Sequence, residues 1–383
     1  MPKTKPNVFD DQDITASEFF STHWQSSPYL FRNTSVNLDC LPDATDLFAL
    51  AEQEGVQSRI VFSEDQHSYQ AIYDEPEAWN DVAACHPTLL VSDIEKWFPS
   101  ASQLLQWFPF IKSWRFDDLM MSFAPKGASV GAHTDHYDVF LVQVKGTRRW
   151  SWDDRPLPDS ELVSDSELAV IADYHPQHTA ELKPGDILYL PPEIPHHGIS
   201  TSDDCLTCSI GLRAPADEEM LNAVVELITL HSAPSERFKD GVQSLQSNAS
   251  IGRHEVNYLR QHLTDMSQME DSALAELFGQ VVTSYRLFDE LPQEEDSPQS
   301  LDGCWQKSPF SIFAYHIHEP EADALTAELF VNGEVFVVSA FLPPLICDQQ
   351  TFTLQAVKQQ SPKPMNDLRV IRDLIDMQAL IRT

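Results

Sequence analysis

Basic residues are scarce in this sequence: 25 Lys and Arg stand against 59 Asp and Glu, a net charge of −34 over 383 residues. A chain so poor in cations lacks the contacts that neutralise a phosphate backbone. Sequence-independent nucleic-acid binding is therefore excluded as its main task, and a macromolecular partner is expected to be basic. The imbalance is not confined to a tail. It is −19 over residues 1–216, −11 over 217–300 and −4 over 301–383, so the folded surface itself is negative. Long hydrophobic runs are missing too. Met1 to Phe9 carries no apolar stretch suited to a signal peptide. The most apolar region, Leu329–Cys347, is broken by Asn332, Gly333, Glu334 and two prolines, which excludes a membrane span. Cysteine is sparse and scattered (Cys40, Cys85, Cys205, Cys208, Cys304 and Cys347), as expected of reduced, mostly buried thiols. Cys205-x-x-Cys208 is half a zinc site without a second pair, and in a strand its two thiols face opposite ways. Internal repeats and low-complexity tracts are absent. What is present is a globular composition, 42% hydrophobic and 10% aromatic, in a chain long enough for two or three domains. A soluble, cytoplasmic protein is expected.

Residues 1–100 mix helix and turn signals, with a short helix expected over Ser17–Gln25 and an extended segment at Pro28–Arg32. From 115 to 213 the pattern changes to short β-rich runs punctuated by Gly and Pro: Leu119–Phe123, Val139–Val144, Arg149–Trp152, Ile187–Leu190 and Thr207–Gly211. That spacing predicts a β-sandwich or barrel. After Pro215 the pattern turns helical. Asp217 is expected to cap a helix with Leu221, Val224, Val225 and Ile228 on one face, and further helices are expected near 235–246, 254–264 and 272–289. The polar, Pro-containing stretch Leu291–Ser300 reads as a linker. Asn332-Gly333 between two alternating apolar runs predicts a hairpin, and a final amphipathic helix is expected over Asn366–Arg382.

Chemistry is concentrated in two segments. In Gly127-Ala-Ser-Val-Gly-Ala-His133-Thr-Asp135-His-Tyr-Asp138, His133 and Asp135 share a face if the segment is extended. An imidazole beside a carboxylate is two thirds of the facial triad that holds Fe(II) and leaves the opposite positions open. The second segment is Leu182-Lys-Pro-Gly185-Asp186-Ile-Leu-Tyr-Leu-Pro191-Pro-Glu-Ile-Pro-His196-His197. It combines a turn, an apolar strand, a Pro-rich turn and histidines able to supply a third ligand from a neighbouring strand. His136 is expected as a polar residue behind the ligands. His175, His178, His316 and His318 lie outside both segments and are expected at the surface or in the core.

Gly127-x5-His133-x-Asp135 and Gly185-x5-Pro191-x4-His196 resemble the two motifs of the cupin barrel, in the version used by JmjC-type oxygenases. Phe20-x3-Trp24-x3-Pro28-x3-Arg32, Trp114–Phe123, Tyr137–Phe140 and Ser209–Pro215 are similar to the bacterial ribosomal oxygenases, strongly over 114–215 and more loosely after 216. The resemblance implies an α+β protein: a JmjC-type double-stranded β-helix over 1–215 (metal-binding core 114–215), a helical dimerisation segment over 216–290, and a linker with a small winged-helix-like domain over 291–383. It implies Fe(II) on His133, Asp135 and His196, with His197 the alternate third ligand, and 2-oxoglutarate and molecular oxygen as cosubstrates. The family's cosubstrate cation lies fifteen residues beyond the first histidine, which is Arg148 here, and its planar fork suits a carboxylate. Ser122 is a candidate hydroxyl for the same carboxylate. Glu193 departs from the cupin pattern at a turn position often filled by Gly.

The implied reaction is hydroxylation of one side chain in a basic ribosomal protein, most specifically an arginine β-carbon of large-subunit protein sixteen, by a homodimer. No catalytic residue beyond the metal ligands is implied. An arginine substrate needs an acid or hydroxyl near the mouth, and Asp118 and Tyr137 flank the expected iron strand; a solvated turn acid and a core tyrosine are the structural alternatives. Histidine hydroxylation of a ribosomal protein, lysine demethylation, and a non-catalytic metal-binding scaffold are the competing readings. The winged-helix-like part is expected to touch protein rather than DNA, because Arg369, Arg372 and Arg382 are offset by Asp367, Asp373 and Asp376.

Overall fold

Side-chain alternation along short strands shapes the first of two units, Met1–Ala214 and Pro215–Thr383. The computed structural model describes residues 6–65, 67–156, 162–164, 166–231, 237–239, 251–285, 303–317 and 326–383. The strands of the first unit are β1 (Tyr29–Phe31), β2 (Ser58–Phe62), β3 (Gln70–Tyr73), β4 (Thr88–Val91), β5 (Phe116–Ala124), β6 (Asp138–Lys145), β7 (Arg148–Trp152), β8 (His178–Leu182), β9 (Ile187–Leu190), β10 (His196–Ser200) and β11 (Cys205–Leu212). They form an eight-stranded sheet in the order β1-β9-β6-β11-β5-β4-β2-β3 and a three-stranded sheet in the order β10-β7-β8. Val139, Leu141, Leu188 and Leu190 of the large sheet share one buried cluster with Trp150, Trp152 and Leu182 of the small one, so the two sheets face each other across a barrel interior. The opposite face of the large sheet carries Leu119, Met121, Phe140, Tyr189, Leu206 and Cys208, covered by Phe19 of helix α1 (Ala16–Thr22) and Leu47 of helix α2 (Ala44–Ala51). Cys208 thus lies in the outer core while Cys205 turns inward beside Gln143, and all six cysteines are free. Helix α1 begins at a reciprocal cap: the Thr15 hydroxyl accepts from Glu18 N–H, and the Glu18 carboxylate accepts from Thr15 N–H.

The start of β6 is held by a buried polar hub. Asp138 accepts the Tyr189 hydroxyl at 2.6 Å on Oδ1, and Arg115 at 2.9 Å and the Gln25 amide at 3.1 Å on Oδ2. Trp24 stacks on Tyr189 with ring centroids 5.6 Å apart, and the Arg115 guanidinium lies over the same Trp24 ring at 5.6 Å. The N-terminal segment, the turn leading into β5, and β9 are therefore tied to the residue from which β6 departs.

The second unit opens with helices α4 (Asp217–His231), α5 (Arg253–Ser267) and α6 (Asp271–Thr283), after α3 (Ile94–Trp97) in the first. Asp217 lies inside the first turn of α4 rather than capping it. Ala216 O receives Met220 N–H, and Glu219 reaches back to Ala216 N–H at 2.8 Å. Beyond these lie β12 (Cys304–Lys307), β13 (Phe313–Ile317), β14 (Thr326–Val331), β15 (Glu334–Ser339), α7 (Leu342–Cys347), β16 (Phe352–Thr353), α8 (Leu354–Gln360), α9 (Pro364–Asp376) and β17 (Leu380–Arg382), in sheets ordered β13-β14-β15 and β16-β12-β17. The hairpin at Asn332-Gly333 is present, with φ of 51° and 84° as a primed turn requires. The last helix is shorter than expected and ends at Asp376. Gln378 takes a left-handed φ of 57°, its N–H bonds Ile375 O and Ala379 N–H bonds Leu374 O, a reversal that frees Leu380–Arg382 to pair with β12. The expected linker 291–300 and most of the expected helix 235–246 lie outside the described residues.

Removing the Asp138 carboxylate takes the ion-pair partner from the largely buried Arg115, leaving it the Arg213 carbonyl. Asp138→Ala is expected to lower stability by about 3–5 kcal/mol, and Asp138→Asn by less, in equilibrium urea unfolding. A loss below about 1 kcal/mol for the alanine variant would contradict the hub.

Candidate metal centre

His133 and Asp135 sit on the segment joining β5 to β6, and His196 is the first residue of β10. Two reciprocal backbone bonds join them: His133 N–H donates to His196 O at 3.0 Å, and His196 N–H to His133 O at 2.9 Å. The imidazoles are left side by side, ring centroids 4.3 Å apart. Each ring is fixed from behind, with His133 Nδ1 3.1 Å from Gly131 O and His196 Nδ1 2.9 Å from Ile194 O. A proton on Nδ1 satisfies both contacts and leaves both Nε2 lone pairs free. Asp135 completes the group, Oδ1 4.0 Å from His133 Nε2 and Oδ2 3.5 Å from His196 Nε2. One ligand atom from each of the three lies within 4.8 Å of the others, the one such His/Cys/Asp/Glu group among the described residues. Side-chain exposures of 27% for His133, 22% for Asp135 and 2% for His196 leave the group open on one side.

Burial, reinforced by His133, pushes His196 down to about 4, against the opposing pull of Asp135, so the ring is neutral near pH 7, the form a metal needs. His197 is pushed down to about 4 as well, again chiefly by burial. It points to the other face of β10, where its Nε2 meets Ser129 Oγ at 2.8 Å; the same hydroxyl oxygen accepts Gly131 N–H. The alternate third ligand is thereby turned away from the group and instead steadies the His133 segment. His136 also points outward, paired with the Glu193 carboxylate. Glu193 does adopt the left-handed conformation that glycine favours, with φ of 65°, and its N–H holds Asp135 O at 2.7 Å without disturbing the donor atoms. His175 and His178 pair with Asp173 and Asp154 at the surface, His316 is half-buried on β13, and His318 lies outside the described residues.

Alternation along β7 buries Arg148, Trp150 and Trp152 and leaves Arg149 exposed. Arg148 is 5% exposed, yet its Nε and Nη2 have no hydrogen-bond partner. A desolvated guanidinium with two idle N–H groups is costly by itself and is suited to receive a carboxylate through a bidentate pair. Ser122 is buried on the inward face of β5 with its hydroxyl 3.5 Å from Thr207 O. Two nitrogens and one carboxylate on one face suit Fe(II), and the Arg148 fork suits the distal carboxylate of 2-oxoglutarate. Asp118 and Tyr137 close over Gly211 of β11. A Cβ placed there would stand 2.8 Å from Asp118 Oδ1 and 3.8 Å from the Tyr137 ring. Burial, and then the carboxylates of Asp135, Asp118 and Asp117, push the Tyr137 hydroxyl well above its ordinary value. Sequence reading missed Ser129 and the Gly131 and Ile194 carbonyls, because backbone acceptors leave no mark in residue identity.

Two antiparallel sheets facing each other, with two histidines and a carboxylate converging at the interior, define a JmjC-type cupin barrel. A family model described as JmjC domain matches residues 103–220. The probable ribosomal oxygenase of Haemophilus influenzae is 32% identical over 352 residues, covering 84% of this chain and 82% of that protein. Ribosomal protein uL16 3-hydroxylase of Escherichia coli is 28% identical over 275 residues, covering 70% and 71%. The crystal structure of Escherichia coli YcfD superposes with a TM-score of 0.81 at 22% identity over 96% of this chain and 98% of that one. The same ribosomal oxygenase in complex with cobalt and 2-oxoglutarate gives a TM-score of 0.78 over the same shares. The chain belongs to the ribosomal oxygenase family.

The depressed value of His196 sets a pH dependence for the metal-free protein. Below the ordinary value of 6.5 the unfolded chain takes up a proton that the buried ring refuses, so stability is full above pH 6.5 and falls as pH drops toward about 4. The loss attributable to this ring is about 3 kcal/mol, measurable as the urea midpoint against pH; because His197 is depressed over the same window, His196→Gln should reduce the slope there without abolishing it.

Proposed function

We propose that this chain is an Fe(II)- and 2-oxoglutarate-dependent hydroxylase of a basic ribosomal protein, with an arginine β-carbon of large-subunit protein uL16 as the target. The observation that carries the reading is Arg148, a buried cation with unpartnered N–H groups in the same barrel interior as the His133, Asp135 and His196 donors. The name of the Escherichia coli relative supplies the ribosomal protein and the 3-position. Bound iron with 2-oxoglutarate and dioxygen supplies the chemistry, replacing C–H by C–OH while the cosubstrate leaves as succinate and carbon dioxide. His133, Asp135 and His196 hold the metal on one face, while Arg148 and Ser122 hold the distal carboxylate. Asp118 and Tyr137 orient the guanidinium: the carboxylate accepts its N–H groups, and the hydroxyl, kept protonated by its surroundings, packs alongside. The acid near the mouth favours arginine over histidine as the target.

The −34 charge draws a cationic ribosomal protein toward the mouth over distances set by ionic strength, and a cytoplasmic site of action accords with that substrate. Residues 1–215 form the oxygenase domain in this reading, 216–290 the dimerisation segment and 291–383 a linker with a winged-helix-like, protein-contacting module. Support for a homodimer comes from exposed Val256, Leu259 and Leu263, which share one face of α5, and from exposed Leu221 and Val225 on α4.

Mass spectrometry of ribosomal proteins from cells with and without this chain is expected to show the loss of a one-oxygen shift on a single uL16 peptide. Unchanged masses of all ribosomal proteins would reject the substrate. His133→Ala should abolish succinate formation from 2-oxoglutarate, and Asp118→Asn should raise KM for an arginine peptide about tenfold with a smaller effect on a peptide-independent turnover. The double variant Leu259→Glu, Leu263→Glu should run as a monomer in light scattering; a persisting dimer would place the interface elsewhere.

A further inference from the structure

We propose that the Thr88 hydroxyl is an additional binding group for the distal carboxylate of 2-oxoglutarate, an inference that rests on the reading of Arg148 given above. Thr88 is fully buried, and its Oγ1 has no hydrogen-bond partner. It opens an otherwise apolar strand, Thr88-Leu-Leu-Val91, where valine would match its shape without an idle hydroxyl to desolvate.

Strand register places this hydroxyl. On β4, Leu89 and Val91 enter the outer core, whereas Leu90 packs on the other face with Val61 and Met120. Thr88, two residues before Leu90, turns the same way, and Leu90 stands opposite Ser122 on β5. A single cross-strand row runs from Leu89 through Phe123 and Leu206 to Lys145, and Arg148 follows Lys145 after a short turn. The end of β5 closes the circuit: Gly127 N–H bonds Ser200 O at 2.9 Å, and Ser200 stands opposite Arg148. Thr88 and Arg148 therefore open onto the same end of the barrel interior.

The donors are complementary. A carboxylate offers two oxygens with about four acceptor directions, of which the Nε–Nη2 edge of Arg148 takes two. A hydroxyl arriving from the large sheet fills one of the remainder. Ser122 is turned to Thr207 O, whereas the Thr88 hydroxyl has no acceptor of its own. Anchored from both sheets, the distal carboxylate would be held against lateral movement, leaving the oxo-acid end for the metal that His133, Asp135 and His196 would hold.

The test is calorimetric titration of the full-length, Mn(II)-loaded protein under anaerobic conditions with 2-oxoglutarate and, separately, with oxalate, which chelates the metal but has no distal carboxylate. Thr88→Val is expected to weaken 2-oxoglutarate about tenfold, the loss of one charge-assisted hydrogen bond, while Thr88→Ser stays near wild type. Oxalate and Mn(II) affinities should be unchanged in both variants. An unchanged 2-oxoglutarate affinity in Thr88→Val, with Arg148→Gln strongly weakened, would overturn the role of Thr88 and leave the cosubstrate reading standing. Equal weakening of 2-oxoglutarate and oxalate by Thr88→Val would reduce Thr88 to a packing residue. No weakening in Arg148→Gln would overturn the cosubstrate reading itself.

Discussion

The two backbone hydrogen bonds between His133 and His196 are the constraint on which the site depends. They join the segment after β5 to the start of β10, and they set the ring spacing of 4.3 Å at which both Nε2 atoms and the Asp135 carboxylate point to one place. Everything around them preserves that spacing. The Gly131 and Ile194 carbonyls fix the ring tautomers, Ser129 and His197 brace the His133 segment from behind, and Glu193 N–H pins the peptide of Asp135. The Asp138 hub then clamps the chain where it re-enters the large sheet. A site held by backbone bonds on both sides is organised before any metal arrives, so little ordering is left for the metal to impose.

Charge is distributed in two opposing ways. The protein as a whole is strongly acidic, and the mouth of the barrel gathers Asp117, Asp118 and Asp135 around Tyr137. Its interior holds the opposite sign in Arg148, buried with unused hydrogen-bonding capacity. In the proposed function, an anionic cosubstrate and a cationic protein substrate would meet complementary surroundings at different depths. Low dielectric strengthens the inner pairing, while solvent and salt moderate the outer attraction.

Much of this is legible in the sequence. The β-rich runs between 115 and 213 became strands, the Asn332-Gly333 turn became a hairpin, and the scattered cysteines stayed free, because each depends on local pattern or local turn chemistry. The end of the last helix was misread because the apolar period continues past Gln378, and only pairing with Cys304–Lys307 draws Leu380–Arg382 into a sheet. His196 and His197 could not be separated from the residues alone. Strand alternation decides between them once the direction of β10 is known, and it sends one ring into the interior and the other to Ser129.

The sequence by itself determined the donor types, their order along the chain and the acidic balance, since these are properties of residue identity and spacing. Tertiary structure alone decided which donors converge, that Arg148 is buried with its N–H groups unused, and that a threonine in an apolar strand faces the same interior end. The physical reason is that convergence depends on register between strands far apart in the chain. Register is set by the packing of whole sheet faces rather than by any local segment.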